Sequence, residues 1–210
     1  MQAILFDLDN TLYPPERELF SLIDKRINAY MCDVVGIPAG EVDSLRRRYW
    51  ADYGVTLGGL IRHWAVDPED YLEYVHDVDV AGRLQLDDAL RQMIAGLPLR
   101  RAVFTNGSRG HADRVLGVLG LHDLFEEIFD IRVAAYLPKP FPDPYHRVLE
   151  RLGLPAEQCI MVEDSAANLR TAKELGMGTV LVGDGRTESF VDVGIPSLCA
   201  LPQALAFWLS

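Results

Sequence analysis

The 210-residue chain is poor in cysteine, carries no surplus of basic charge and has no long apolar run, and each shortage excludes something. Cys32, Cys159 and Cys199 are odd in number and far apart, without metal-ligand or redox spacing. A disulfide framework or a zinc site is therefore not expected, and the three read as small buried apolar residues of a reducing cytoplasm. Lys and Arg number 20 against 31 Asp and Glu, a formal net charge of −11. That balance argues against general affinity for nucleic acid polymers or anionic membranes. It also sets a condition: an anionic substrate would need positive charge inside its own site, most simply a metal ion. The longest uncharged stretch, Val193 to Ser210, is broken by Pro196, Pro202 and Gln203. It falls short of the roughly 20 mostly apolar residues of a membrane helix and reads as a surface strand and a short terminal helix. The amino terminus reaches Asp7 after only a short apolar run, so no export leader is expected. The 17 glycines and 12 prolines form neither repeat nor linker, which excludes collagen-like and low-complexity classes.

What is present is core material. Apolar residues make up 49% of the chain, enough for one ordinary domain with a substantial insert. Five β-rich runs end in polar residues: Ala3–Phe6, Arg101–Phe104, Ile131–Ala134, Cys159–Val162 and Thr179–Val182. Near-continuous apolar strands fit a parallel sheet covered on both faces. From residue 87 onward helical patterns alternate with them, over Asp88–Ala95, His111–Leu119, Tyr145–Leu152 and Leu169–Leu175. Asp143 reads as the N-cap of the third, with Pro144 at its first position, and Gly176 as the stop of the fourth. The alternation predicts a doubly wound α/β sheet. Residues 16–85 break it: Leu19 to Met31 and Val42, Leu45 and Tyr49 have helical spacing, and no strong strand appears. The expected organisation is an α/β core of residues 1–15 and 86–210, with residues 16–85 as a helical lid that Gly58 and Gly59 would let flex.

Ligands of open α/β sheets bind beyond the carboxyl ends of the strands, so the polar residues there are the candidates. The first strand ends Asp7-Leu8-Asp9-Asn10-Thr11. Residues two apart share a face in extended chain, so Asp7 and Asp9 point together and repel unless a cation intervenes. The second ends Thr105-Asn106-Gly107-Ser108, a hydroxyl, an amide and an open backbone before a helix, as an anion cradle requires. Lys139 stands among alternating prolines in Leu137–Pro144, which forbid helix and predict a stiff, extended segment. The fourth strand ends Glu163-Asp164-Ser165, with Asn168 one helical turn on, where oxygen ligands for Mg²⁺ belong. Tyr13, Trp50, Tyr53 and Trp64 could stack on a base, and Arg46, Arg47, Arg48 or Arg62 could reach a substrate, although both sets also suit core and solvated face. Of five histidines, only His111 lies near the anion cradle.

Carboxylates, hydroxyl, lysine and further carboxylates in that order resemble the haloacid dehalogenase-like hydrolase superfamily. Its four motifs stand here as Asp7–Thr11 (DLDNT), Thr105–Gly107 (TNG), Lys139 in LPKP, and Glu163–Asn168 (EDSAAN). The resemblance covers residues 1–185. It implies a Rossmann-like α/β core with a parallel sheet, a helical, C1-type cap inserted after the first strand, and phosphoryl transfer through an aspartyl-phosphate with Mg²⁺ as cofactor. Carried over by position, Asp7 resembles the nucleophile and a metal ligand, and Asp9 the general acid/base whose backbone carbonyl also meets the metal. Thr105 and Asn106 match phosphate-binding positions. Lys139 matches the catalytic lysine that offsets nucleophile and phosphoryl charge, and Asp164 the remaining metal carboxylate. Glu163 and Asn168 match supporting positions around them, Glu163 being either a ligand or a neighbour of one. An acid at position 9 favours a phosphatase over the dehalogenases that name the superfamily.

Leu12-Tyr13-Pro14, the run Tyr53–Leu60 and the run Tyr71–His76 look like the pyrimidine 5′-nucleotidase branch, although Pro15-Glu16-Arg17-Glu18 depart from its pattern. The implied activity is hydrolysis of small phosphomonoesters, with pyrimidine nucleoside 5′-monophosphates such as UMP and CMP first. Same-fold alternatives are a sugar-phosphate phosphatase or phosphomutase and a phosphoglycolate-type phosphatase. The non-enzyme alternative is a phospho-accepting receiver or scaffold, which the motif order disfavours. The expected partner is a small phosphorylated metabolite rather than a nucleic acid polymer or a membrane, in a cytoplasmic monomer or homodimer.

Overall fold

The computed structural model describes residues 1–183 and 188–209. Residues 184–187 of the expected core and Ser210 lie outside them. Six strands, β1 (Ala3–Phe6), β2 (Arg100–Phe104), β3 (Glu127–Phe129), β4 (Cys159–Glu163), β5 (Gly178–Val182) and β6 (Val193–Ile195), form one sheet. Their order is β3-β2-β1-β4-β5-β6, and every neighbouring pair is parallel. This is the doubly wound arrangement, with its topological switch beside β1.

The two sides of the sheet follow from period-two alternation. Ile4 and Phe6 of β1 join Val103, Ile160, Val162 and Val180 in one apolar layer. Ala3 and Leu5 face the other way, with Ala102, Phe104, Cys159 and Met161. The first layer is covered by α5 (Asp88–Ala95), α6 (Arg109–Leu119) and α9 (Leu201–Leu209), the second by α7 (Pro142–Leu152) and α8 (Ala166–Glu174). Between β1 and α5 run α1 (Leu19–Ala29), α2 (Ala39–Tyr53), α3 (Thr56–Trp64) and α4 (Pro68–His76). They share an apolar cluster of their own, built on Ile23, Tyr49, Leu60 and Leu72. Among the described residues no helix is long and apolar enough to cross a membrane.

Three sequence expectations need correction. Ile131–Ala134 is a 3₁₀ turn rather than a strand. The Asp130 carboxylate accepts from the Arg132 and Arg109 backbone N–H groups, which ends the extended chain before Ile131. The strand is Glu127–Phe129, paired with Ala102–Phe104. Helix α7 starts at Pro142 with Phe141 as N-cap, two residues earlier than Asp143 and Pro144 suggest. Both prolines lie in the first turn, where the N–H they lack has no helical partner anyway. The cysteines divide, with Cys159 buried, Cys32 half-buried and Cys199 exposed.

Candidate active site

Three strand ends and one turn bring the candidate residues together. Asp7 continues β1 by one residue, its N–H donating to Val162 O at 2.9 Å. Asn10 then takes a left-handed conformation (φ 62°), which Asn tolerates better than most residues. The turn it makes, with the Leu12 N–H on Leu8 O at 3.0 Å, buries Leu8 and leaves Asp7 and Asp9 lining the same cavity. Lys139, 1% exposed, donates to Asp7 Oδ1 at 2.8 Å, to Phe104 O at 2.7 Å and to Glu163 Oε2 at 2.8 Å. Its ammonium therefore spans the ends of β1, β2 and β4, with all three of its protons used.

The segment holding Lys139 is not extended, as its prolines suggest, but a turn closed by the Phe141 N–H on Pro138 O at 3.0 Å. Asn106 fixes that turn. Its Oδ1 accepts from the Lys139 N–H at 2.8 Å and its Nδ2 donates to Lys139 O at 2.9 Å. An amide marked from the sequence as a phosphate ligand thus also positions the lysine. Thr105 Oγ1 accepts from the Gly107 N–H at 2.9 Å and keeps its own proton for an acceptor in the cavity.

Asp9 belongs to a second network that the sequence hardly announced. Tyr13 Oη donates to Asp9 Oδ1 at 2.5 Å, and His111 Nε2 approaches the same oxygen at 2.7 Å. A carboxylate only accepts, so the proton lies on His111 Nε2, and the buried Nδ1 has no partner among the described residues. The His111 ring, fully buried, stacks on His76 of α4 with centroids 4.6 Å apart. His76 Nδ1 lies 2.9 Å from Leu72 O, which fixes its proton there too. Burial, followed by the neighbouring His111, pushes the His76 imidazole down to about 4.

The electrostatics are unbalanced. Burial and the nearby Glu163 push the Asp7 carboxyl up to about 7, against the opposing pull of Lys139. Burial also lifts Glu163 to about 7 and, with Asp7 beside it, raises Asp164. For Asp9 burial works upward as well, but the electrostatic pull of the neighbouring His111, followed by the hydrogen bonds from His111 and Tyr13, outweighs it and holds the group low. Ligand oxygens of Asp7, Glu163 and Asp164 lie within 4.8 Å of one another. Three carboxylates face one lysine, and that uncompensated charge, in an oxygen-only donor set, fits Mg²⁺. Glu163 belongs to this group by distance, yet one of its oxygens takes Lys139 Nζ and the other the Ser165 N–H at 3.2 Å. Its geometry is that of a lysine anchor, and Asp7 and Asp164 are the freer ligands. Asn168 lines the cavity at the first turn of α8, its backbone carbonyl accepting from Tyr145 Oη at 2.8 Å.

Other candidates are used elsewhere. Arg46 bonds Asp24 at 2.5 Å and Asn28 at 2.7 Å, and Trp64 donates to Tyr49 Oη at 3.0 Å. Glu69 binds Arg132 and Tyr136 and so ties α4 to the turn after β3. Of the aromatic candidates Trp50 lines the cavity, whereas Tyr13 serves Asp9.

A doubly wound parallel sheet with acids and a buried lysine at the carboxyl ends of its central strands defines a class, the α/β proteins whose site lies beyond the strand ends. The chain belongs, more narrowly, to the haloacid dehalogenase-like hydrolases, whose family model matches residues 1–176. It is 28% identical over 207 positions to Phosphate metabolism protein 8 of Saccharomyces cerevisiae, covering 90% of this chain and 64% of that protein. The chain thus spans a little under two thirds of that relative's length. A phosphoglycolate phosphatase of Rhodospirillum rubrum is 29% identical over 208 positions, with 88% and 80% covered. A glyceraldehyde 3-phosphate phosphatase of Methanocaldococcus jannaschii is 26% identical, with 91% and 89% covered. Among solved structures, CbbY from Rhodobacter sphaeroides in complex with phosphate superposes with a TM-score of 0.67 at 25% identity over 96% of each chain.

Proposed function

We propose that this chain is a Mg²⁺-dependent phosphohydrolase of small phosphomonoesters that works through an aspartyl-phosphate on Asp7. The observation that carries the reading is the convergence of Asp7, Lys139 and Asp164 beneath a cavity that also holds Asp9 and Thr105. An oxygen of the Asp7 carboxylate attacks phosphorus, and the bond from phosphorus to the alcohol oxygen breaks. Asp9 gives that oxygen its proton. Water then loses a proton to Asp9 and attacks the Asp7-bound phosphorus, releasing inorganic phosphate and restoring both carboxyls. Lys139 offsets charge on Asp7 and on the phosphoryl group, while Thr105 and Asn106 face the phosphoryl oxygens. Asp7, Asp164 and the Asp9 carbonyl would hold Mg²⁺, which when bound offsets phosphoryl charge and keeps Asp7 ionised.

The relatives' names support phosphoglycolate-type and sugar-phosphate substrates ahead of the pyrimidine nucleotides that the motifs around Tyr13 and Tyr53 suggested. They support the family chemistry while leaving the alcohol of this chain's own substrate to its cavity. Residues 16–85 serve as the cap, and a small phosphorylated metabolite is the partner. The test is an acid quench during turnover of a ³²P-labelled ester. The expected result is a hydroxylamine-labile label on the protein that Asp7→Asn abolishes; label that survives Asp7→Asn would refute the assignment.

A further inference from the structure

The cavity above Asp7 has a volume of about 600 Å³, within the range that buries drug-sized ligands. Its floor is polar, made of the strand-end residues already described. Its walls are not. Phe20 and Ile23 from α1, Trp50 from α2, Val55 before α3, Val75 from α4 and Phe141 before α7 line the space where the alcohol of a bound ester would lie. Phe20 is 40% exposed and Trp50 63% exposed, so two large apolar side chains stand open at the cavity without a partner. Exposed apolar surface gathered on a concave patch marks a place where something apolar docks.

The charges make the same point. Among the described residues lining the cavity, Lys139 is the one Lys or Arg, and Asp7, Glu163 and Phe104 O use all three of its protons. Arg46, the arginine nearest in sequence to Trp50 with a defined ion pair, is held by Asp24 and Asn28 and does not line the cavity. His76 does line it, but carries its one proton on Nδ1 toward Leu72 O, so it offers no positive charge at neutral pH. A carboxylate on the alcohol would find among the described lining residues no Lys or Arg beyond Lys139, which is already committed to Asp7 and Glu163. A polyol would leave hydroxyls against Ile23, Val55 and Val75, and unpaired polar groups there are costly.

Resting on the phosphohydrolase reading, we infer that the alcohol released by this enzyme is uncharged, largely apolar and ring-bearing, with its ring among Phe20, Trp50 and Phe141. Aromatic faces favour planar apolar groups through dispersion and edge or offset contacts. In this the chain departs from what the names of its relatives would suggest.

The experiment compares esters of matched primary alcohols, so that leaving-group reactivity does not decide the ranking: 2-phenylethyl phosphate, 2-(2-naphthyl)ethyl phosphate, phosphoglycolate, glucose 6-phosphate and UMP. Both kcat/KM in the full-length enzyme with Mg²⁺ and calorimetric Kd for the Asp7→Asn variant are measured. The two aryl-alkyl esters are expected to lead by about tenfold or more in each. Trp50→Ala should then lower the ratio of naphthylethyl phosphate to phosphoglycolate by about tenfold, and Trp50→Phe should restore part of it. Equal or better binding and turnover of phosphoglycolate, glucose 6-phosphate or UMP would overturn the inference and leave the phosphohydrolase reading standing. Apolar preference in binding with no phosphate released from any ester would support the cavity assignment and sink the chemistry instead.

Discussion

At the scale of residues, the groups proposed to transfer protons and bonds, Asp7 and Asp9, are held in place by Lys139, Tyr13 and His111. Asp9 is restrained through one oxygen by Tyr13 and His111, which leaves Oδ2 for a proton in transit. Asp9→Asn is expected to lower kcat for alkyl phosphates by about 10²–10⁴ while KM changes little, as removal of a general acid/base does. Asn106→Ala releases the turn that carries Lys139, and is expected to lower kcat by roughly 10²-fold, the effect of an ångström-scale misplacement. Steady-state kinetics on both variants check this. Asp7, Asp9 and Lys139 were legible in the sequence because period-two spacing and proline punctuation are local signals. Tyr13 and His111 were also singled out, but their bonds to Asp9 were not legible, because these join positions 4 and 102 residues apart and no local pattern records the second. His76 makes a pH-dependent contribution to stability. Its folded value, about 4, lies below the ordinary 6.5, so the unfolded chain binds the extra proton. Stability from this group is present above pH 6.5 and is lost as pH falls toward 4. Between pH 7 and 5 the loss is about 2 kcal/mol. Urea unfolding at the two pH values should show that much less acid sensitivity in His76→Phe than in the parent.

At the scale of elements, the helices and central strands were legible because their apolar periods are strong, and the misplacements have local causes. Ile131–Ala134 carries β-type residues, but the Asp130 side chain bonds the backbone two residues on and turns the chain. The start of α7 was masked by three prolines competing for one N-terminus. Gly59, expected as a point of flexibility, instead permits close packing: a Cβ built there would fall 2.0 Å from the Tyr49 ring, which is 1% exposed. Gly59→Ala should therefore destabilise the α2–α3 contact by roughly 1–3 kcal/mol, as overpacking does. Gly117 on α6 has nothing within 4 Å of that position. Gly117→Ala should raise stability by up to about 1 kcal/mol. Denaturant midpoints of the two variants, shifting in opposite directions, check the assignment.

At the scale of the molecule, a chain with a net charge of −11 would meet an anionic substrate with its positive charge concentrated in one place. The strand order puts β1 between β2 and β4, so Lys139 can reach all three strand ends while Asp7, Glu163 and Asp164 stand ready for a dication. The order of motifs along the sequence already implied this sheet and the gathering of these residues at its strand ends. Substrate identity was not legible, because cavity walls are assembled from α1, α2, α4 and the turn before α7, segments that share no motif. The most direct test of the central claim is phosphate release from an alkyl phosphomonoester by the full-length enzyme, measured with Mg²⁺, with chelator and with Asp7→Asn. The expected result is turnover that needs Mg²⁺, returns when Mg²⁺ is restored after chelation, and is absent in Asp7→Asn. Turnover that persists with chelator, or in Asp7→Asn, would contradict it.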